Sequence, residues 1–436
     1  MSLPAELRLN IFRYCCHYRP HECLLRLSVC CKQLHEDVKP LLWRNISLRW
    51  KHLKVPMGYQ VQCMKFTTRL ELTAIEPQDL QDLYEDAVQS NFVALVESCS
   101  AVLLKELNVS YFLPETGMKV VGETLHNIQS LYIMSVTSSL DWSYISLLRE
   151  LKELRLSGCG VQDVHFRDFG LLKNLHGLEL IGCDKVTGIM FTMFESSSLS
   201  TIEFSRSSTL GVNYEVSSWH FCNLKMLDLD GLFPPRFFFN VNESFKKLHE
   251  LWLDNSLVDD QGLFYISKII TLEKLIMEQC YEITDDGLIH VSNMKSLKIL
   301  SVCTCDSVTD DGIYNISSME SLQTLDLSRS DWLTDLSLAH LSTCPGLTSL
   351  TIECCNNFTD AGLQYVGEMK SLESLSIEYG FFTDEGLKHL GGLKLKEFGY
   401  YENPGITHEG VKQAGLPCPE HVTAHVVCTP NAPPSP

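Results

Sequence analysis

"LEKLIMEQCYEITDDGLIHVSNMKSLKIL", residues 272–300, carries two kinds of spacing in turn. Leu272, Leu275 and Met277 follow L-x-x-L-x-L. Apolar places that alternate along a chain make a short strand with one buried face. Ile283 to Leu288 then read as the start of a helix. Thr284 is a good N-cap, and Asp285 and Asp286 suit the positive end of the helix dipole. Ile283 and Leu288 have the spacing of a hydrophobic staple. At Leu297 the leucine spacing begins again, so the stretch is one unit, a strand followed by a helix.

The unit recurs along the chain. L-x-x-L-x-L begins at 104, 128, 151, 175, 199, 224, 248, 272, 297, 322, 347, 372 and 395, with steps of 23 to 25 residues. Helix starts like "ITDDGL" recur as "VTDDGI" at 308, "FTDAGL" at 358 and "FTDEGL" at 382. A period in this range is the leucine-rich-repeat signature. One such unit cannot bury its own apolar face, so neighbours must stack. The expected fold is α/β: a leucine-rich-repeat solenoid over 101–416, a horseshoe with parallel strands on the concave face and helices on the convex face. Cysteine fills the ninth place at Cys159, Cys183, Cys280, Cys305 and Cys355, and Ser207, Ser256, Ser330 and Asn403 fill it elsewhere. This resembles the cysteine-containing class of these repeats. A small inward side chain with a weak donor suits a turn whose carbonyls need partners. These cysteines are expected to form a ladder, one per coil, and not the tetrahedral cluster that zinc needs. The pattern weakens between 199 and 247, where Pro234 and Pro235 exclude a helix interior. Phe237, Phe238 and Phe239 there are either buried in a degenerate repeat or a contact platform.

The chain has 436 residues, 45% of them hydrophobic, and a formal net charge of −19. That charge repels nucleic acid and anionic membrane, so neither is an expected partner. The opening "MSLPAELRLN" has charges where a secretory signal needs an apolar core, and no uncharged run is long enough for a membrane helix. The expectation is a soluble protein of the cytoplasm or nucleus, its 18 cysteines reduced and its sequons at Asn108, Asn315 and Asn357 unmodified. No phosphate loop, nucleophile elbow or H-E-x-x-H motif occurs. No catalytic residue, cofactor or metal is expected. Cys16, His17, His21 and Cys23 in "CCHYRPHEC" match no common finger spacing and read as a loop.

Residues 2–47 do not follow the repeat. Leu3, Pro4, Glu6, Leu7, Ile11, Phe12 and Tyr14 are followed by Leu24, Leu25, Leu27, Cys31, Lys32, Leu42 and Trp43. This run resembles an F-box, with Leu34 where the family often has Trp and a longer inter-helix loop. The resemblance implies a small all-α module, and F-box proteins with leucine-rich repeats are substrate receptors of SCF (Skp–cullin–F-box) ubiquitin ligases. It further implies docking on a Skp-type adaptor, and through it on cullin and RING subunits. Leu3, Pro4, Ile11, Phe12, Leu24, Leu42 and Trp43 are the adaptor-docking candidates, several of which would also serve the module's own core. Such a receptor is not itself an enzyme. The expected domains are then an F-box at 2–47, a linker with a capping or degenerate repeat at 48–100, the repeats, and a disordered or extended Pro-rich tail at 417–436.

A repeat scaffold binds through its concave face. The fifth and seventh places of each strand point there, and they hold nine acids against one base, Arg155. Glu179, Glu203, Asp228, Asp230, Trp252, Asp254 and Glu278 are therefore the substrate-binding candidates, for a protein substrate with a basic segment and an apolar anchor. A merely soluble acidic surface is the plainer reading. Arg206 and Arg329, at the eighth place, suit a carboxylate or phosphate. Of the two cysteines in "SVCTC", Cys305 is expected inside and Cys303 on the binding face with an accessible thiol. A scaffold or inhibitor without ligase function, and a small-molecule receptor, are the alternatives; the second wants a basic pocket that the acidic places do not offer.

Overall fold

A computed structural model of the chain describes residues 45–49, 67–73, 86–99, 102–111, 113–114, 116–135, 140–186, 190, 198–207, 221, 223–231, 238 and 245–417. The F-box-like run up to residue 44, the Cys16–Cys23 loop, Pro234, Pro235, Phe237, Phe239 and the tail from 418 lie outside the described residues. The chain divides into two units, residues 1–280 and 281–436.

In the first unit ten strands are described: β1 (Asn45–Arg49), β2 (Arg69–Thr73), β3 (Glu106–Tyr111), β4 (Ser130–Ser135), β5 (Glu153–Ser157), β6 (Gly177–Ile181), β7 (Thr201–Ser207), β8 (Met226–Gly231), β9 (Glu250–Trp252) and β10 (Lys274–Glu278). Each pairs in parallel with the next in sequence order. The second unit continues the plan with β11 (Ile299–Cys303), β12 (Thr324–Asp326), β13 (Ser349–Thr351), β14 (Ser374–Ser376) and β15 (Glu397–Gly399), also parallel neighbours. From β3 onward every strand begins two residues after one of the leucine starts. Both units are leucine-rich-repeat solenoid. The parallel sheet reaches back to Asn45, and β1 and β2 precede the first leucine start at 104.

The first, fourth and sixth places of each repeat make the core. Leu248, Leu251 and Leu253 are fully buried, as are Leu322, Leu325 and Leu327. Each such leucine contributes roughly 1.5–3 kcal/mol relative to an exposed position. Phe238 is also buried, so that member of the phenylalanine run is core and not platform.

After nine strands, β5, β6 and β9 to β15, the eighth residue takes a left-handed conformation: Gly158 and Gly182, but also Asn255, Gln279, Thr304, Arg329, Cys354, Tyr379 and Glu402, with φ between 53° and 60°. A non-glycine residue there costs about 1 kcal/mol or more. The turn aims the ninth side chain inward. Its backbone N–H also reaches the next coil, as from Asn255 to the Glu278 carbonyl at 2.7 Å and from Arg329 to that of Glu353 at 2.8 Å. The ninth side chain then donates backward, to the sixth-place carbonyl of the preceding coil. Cys159 reaches Ile133 at 3.3 Å, Cys280 reaches Leu253 at 2.9 Å, and Cys355 reaches Leu327 at 3.2 Å. Ser330 does the same to Val302 at 3.3 Å, and Asn403 Nδ2 to Ile377 at 2.7 Å. Burial pushes the Cys355 thiol up to about 12 and Cys183 up to about 11, so both stay protonated donors at neutral pH. The ladder expected from the ninth place is therefore present.

Cys303 does not fit its expectation. It shares a face with Ser301, at 3.0 Å, as the strand alternation requires. Yet it is only 6% exposed, against 2% for Cys305. A short side chain settles down against Ser301 and the Asp326 carbonyl of β12, 4.0 Å away, and its thiol is covered.

On the helix side of the second unit, the T-D-x-G signature does more than start a helix. Thr284 accepts from the Asp286 N–H at 3.3 Å, as an N-cap should. The aspartate that follows each cap reaches across to the cap of the next coil. Asp285 accepts from the Thr309 N–H at 2.8 Å and its hydroxyl at 2.7 Å. Asp310 meets Thr334, Asp335 meets Thr359, Asp360 meets Thr383 and Asp384 meets Thr407 in the same way. The glycine makes room: a Cβ on Gly312 would overlap the Asp285 carboxylate, and one on Gly362 that of Asp335. Where the glycine is replaced, at Ser337, the backbone N–H and the hydroxyl both donate to Asp310. Among the described residues no helix is long and apolar enough to cross a membrane.

Asp310 serves Thr334 and the fully buried Ser337 together. Asp310→Ala should lower the unfolding free energy by about 1.5–3 kcal/mol, measured by urea titration. Among the described cysteines only Cys354 is half-buried. A mass-spectrometric alkylation time course on the folded protein should label it first among these, with Cys303 and Cys305 both slow.

Candidate functional site

The open face of the first unit's sheet, turned away from the core, carries the sequence-predicted residues. Parallel pairing in register sets Glu179 of β6, Glu203 of β7, Asp228 of β8 and Trp252 of β9 side by side. Asp230 lies two residues beyond Asp228 on the same face, and Asp254 two beyond Trp252. Glu278, at the end of β10, is the most exposed of the acids. The other five carboxylates, Glu179, Glu203, Asp228, Asp230 and Asp254, and the indole are half-buried. The structure thus brings the seven predicted residues onto one face. The seven adaptor-docking candidates lie outside the described residues. The side chain of Arg206 is likewise not described, while Arg329 is one of the left-handed turn residues.

Partners are distributed unevenly over this face. Glu179 pairs with Arg155 at 2.8 Å, and Arg155 also lies 5.0 Å over the Tyr132 ring. Ser205 donates to Asp230 at 3.3 Å. By contrast Asp228 Oδ1, Asp254 Oδ1 and Trp252 Nε1 are buried and without a hydrogen-bond partner. Burial of polar atoms without partners is costly, and each such case calls for an explanation.

The electrostatics follow. Burial, then the charges of Glu203 and Asp230, push the Asp228 carboxyl up to about 7. Burial, then Glu278 and Asp228, push Asp254 up to about 7. Crowding lifts Glu179 as well, through burial first, with Arg155 opposing and Glu203 adding. A face that resists its own ionisation is stabilised by an external cation.

Sequence reasoning counted the fifth and seventh places and missed the third. Strand alternation puts the third on the same face, and it supplies Glu153, Glu250 and Lys274. Lys274 lies 4.1 Å over the Trp252 ring and 3.7 Å from Glu250. A shallow cavity of about 290 Å³ opens over β2 to β7, lined by Arg69, Tyr132, Glu153, Arg155, Glu179 and Glu203 among others, and the absent side chain of Gly177 leaves room for the Glu153 carboxylate. Among the described residues no group of three His, Cys, Asp or Glu side chains is placed to hold a metal.

By its coils the chain is a leucine-rich-repeat protein. No family model matches it, and no curated protein matches it. Among solved structures it is similar to a chain of the Rad7 and Elc1 complex of yeast, at 17% identity and a TM-score of 0.46, covering 79% of this chain and 98% of that one. It is also similar to a leucine-rich-repeat protein of Leptospira interrogans (19%, TM-score 0.48, 86% and 93% covered). An internalin of Listeria monocytogenes follows (16%, TM-score 0.43, 75% and 89% covered).

The raised carboxyls have a sign that can be checked. Unfolded Asp ionises near 3.9, about three units below Asp228 in the fold. Between those values the folded state holds a proton that the unfolded state has released, so stability falls as pH rises through 7. Asp228→Asn should therefore raise the urea midpoint at pH 8 and change it little at pH 4, below which Asp228 is protonated in both states.

Proposed function

We propose that the chain is the substrate-recognition subunit of an SCF-type ubiquitin ligase. The F-box-like run at 2–47 docks a Skp-type adaptor, and through it cullin and RING subunits. The open sheet face of the repeats binds a protein substrate through a basic segment, for ubiquitination and proteasomal degradation. The chain itself is no enzyme; ubiquitin transfer belongs to other subunits. It works in the cytoplasm, the nucleus or both.

The observation that carries the binding half is the row Glu179, Glu203, Asp228 and Trp252, with buried atoms of Asp228, Trp252 and Asp254 left unpartnered. A basic segment supplies what these atoms lack, and the surrounding field steers it in. The ligase half is supported by the pairing of the Leu3–Trp43 pattern with leucine-rich repeats in one chain.

Two measurements test the halves separately. The wild-type chain should co-purify with adaptor and cullin, and Leu3→Ala/Pro4→Ala should lose them while keeping substrate. Failure of the wild type to co-purify overturns the ligase reading. Reversal of Glu203, Asp228 and Asp254 to Lys should lower substrate capture by about tenfold or more while adaptor binding persists. Undiminished capture overturns the basic-segment reading.

A further inference from the structure

Lys274 shows what kind of group the Trp252 ring accepts. Its ammonium sits 4.1 Å from the ring centroid, and its side chain is only 24% exposed. A desolvated ammonium over an indole face is held by the ring quadrupole. Its charged partner, Glu250 at 3.7 Å, is itself 46% exposed. Lys274 leaves one buried oxygen of Asp228, the cross-strand neighbour of Trp252, and one of Asp254, two residues beyond it, unpaired. The indole N–H is unpaired too.

Two buried acceptors and one buried donor are therefore unpaired, next to a ring face that takes a cation. A metal ion would meet the carboxylates but leave the indole N–H unpaired. An anion would meet the N–H but be repelled by Glu203, Asp230 and Glu278. A neutral amide would offset no charge. A basic side chain on a polypeptide meets all three needs, with N–H donors for both carboxylates, positive charge, and a main-chain carbonyl for Trp252 Nε1.

We propose that Asp228, Trp252 and Asp254 form the subsite for one arginine or lysine side chain of the protein ligand, and that Lys274 is an internal stand-in which this side chain displaces from the Trp252 ring. The inference rests on the reading that this face takes a basic segment, and it adds a specific competitor. On displacement the Lys274 ammonium moves toward Glu250, which is exposed enough to receive it. Ligand affinity is then lowered by a charge the protein itself supplies. The groups facing the subsite are Glu203 and Asp230 from the preceding strands, Glu250 on β9, and Lys274 and Glu278 on β10.

The test uses the full-length chain at pH 8 and a fluorescein-labelled, C-amidated peptide Gly-Arg-Gly-Arg-Gly-Arg-Gly, with citrulline in place of arginine as the neutral control. Fluorescence anisotropy reads binding. Lys274→Met keeps the apolar stem and removes the charge; it should tighten arginine-peptide binding by about three- to tenfold, with Lys274→Arg near wild type. Asp228→Asn/Asp254→Asn should abolish the gain. If wild type and Lys274→Met bind the arginine peptide equally, or the variant binds more weakly, the stand-in is overturned while the basic-segment reading survives. If neither protein prefers the arginine peptide over the citrulline one, both are overturned.

Discussion

Everything in this protein depends on one constraint: a single coil cannot satisfy itself. Its three leucine places point to one side, and its strand has hydrogen-bonding edges on both flanks. Stacking solves both problems together, since the leucines of adjacent coils merge into one core and the strands pair in parallel. Even the left-handed bend that follows nine of the strands is settled between coils. The eighth N–H looks forward to the next coil and the ninth side chain looks back to the previous one. Thiol, hydroxyl and amide are interchangeable at the ninth place because the task is to donate one hydrogen bond in a small space.

The same dependence explains the T-D-x-G signature. Taken alone, Thr284 and Asp285 begin a helix. In the second unit Asp285 also satisfies the cap of the following coil, and Gly312 exists to leave room for it. Three residue types that seemed to serve one helix terminus thus serve the joint between two. Ser337 shows the rule from its exception, filling the glycine's space with a hydroxyl that bonds the aspartate.

In-register parallel pairing has a further consequence for function. Identical places in successive strands stand about 4.8 Å apart, so an acid at the fifth place of several repeats becomes a row of like charges. Glu179, Glu203 and Asp228 cannot separate without breaking the sheet. Arg155 relieves one end and Lys274 lies near the other, while Asp228 and Asp254 between them keep raised carboxyls. The face is held in an arrangement that its own charges oppose, and a basic ligand would relieve it.

Sequence alone determined the strand register, because a leucine spacing repeated over one period allows one alternation only. It also determined the ninth-place ladder and the identity of the acidic face. It did not decide burial. Cys303 stands on the face its alternation assigns, yet its thiol is covered, because a short side chain's exposure is set by its neighbours and not by its direction. Phe238 is hidden for a reason of the same kind, packed away where the repeat pattern is weakest. Lys274 was legible from the period of two, but its place on Trp252 was not, since that contact joins two coils. The aspartate bridges and the unpartnered atoms of Asp228, Trp252 and Asp254 likewise arise only when one coil is laid against the next. A one-dimensional pattern specifies which way each side chain points; what it meets there is a property of the neighbouring coil.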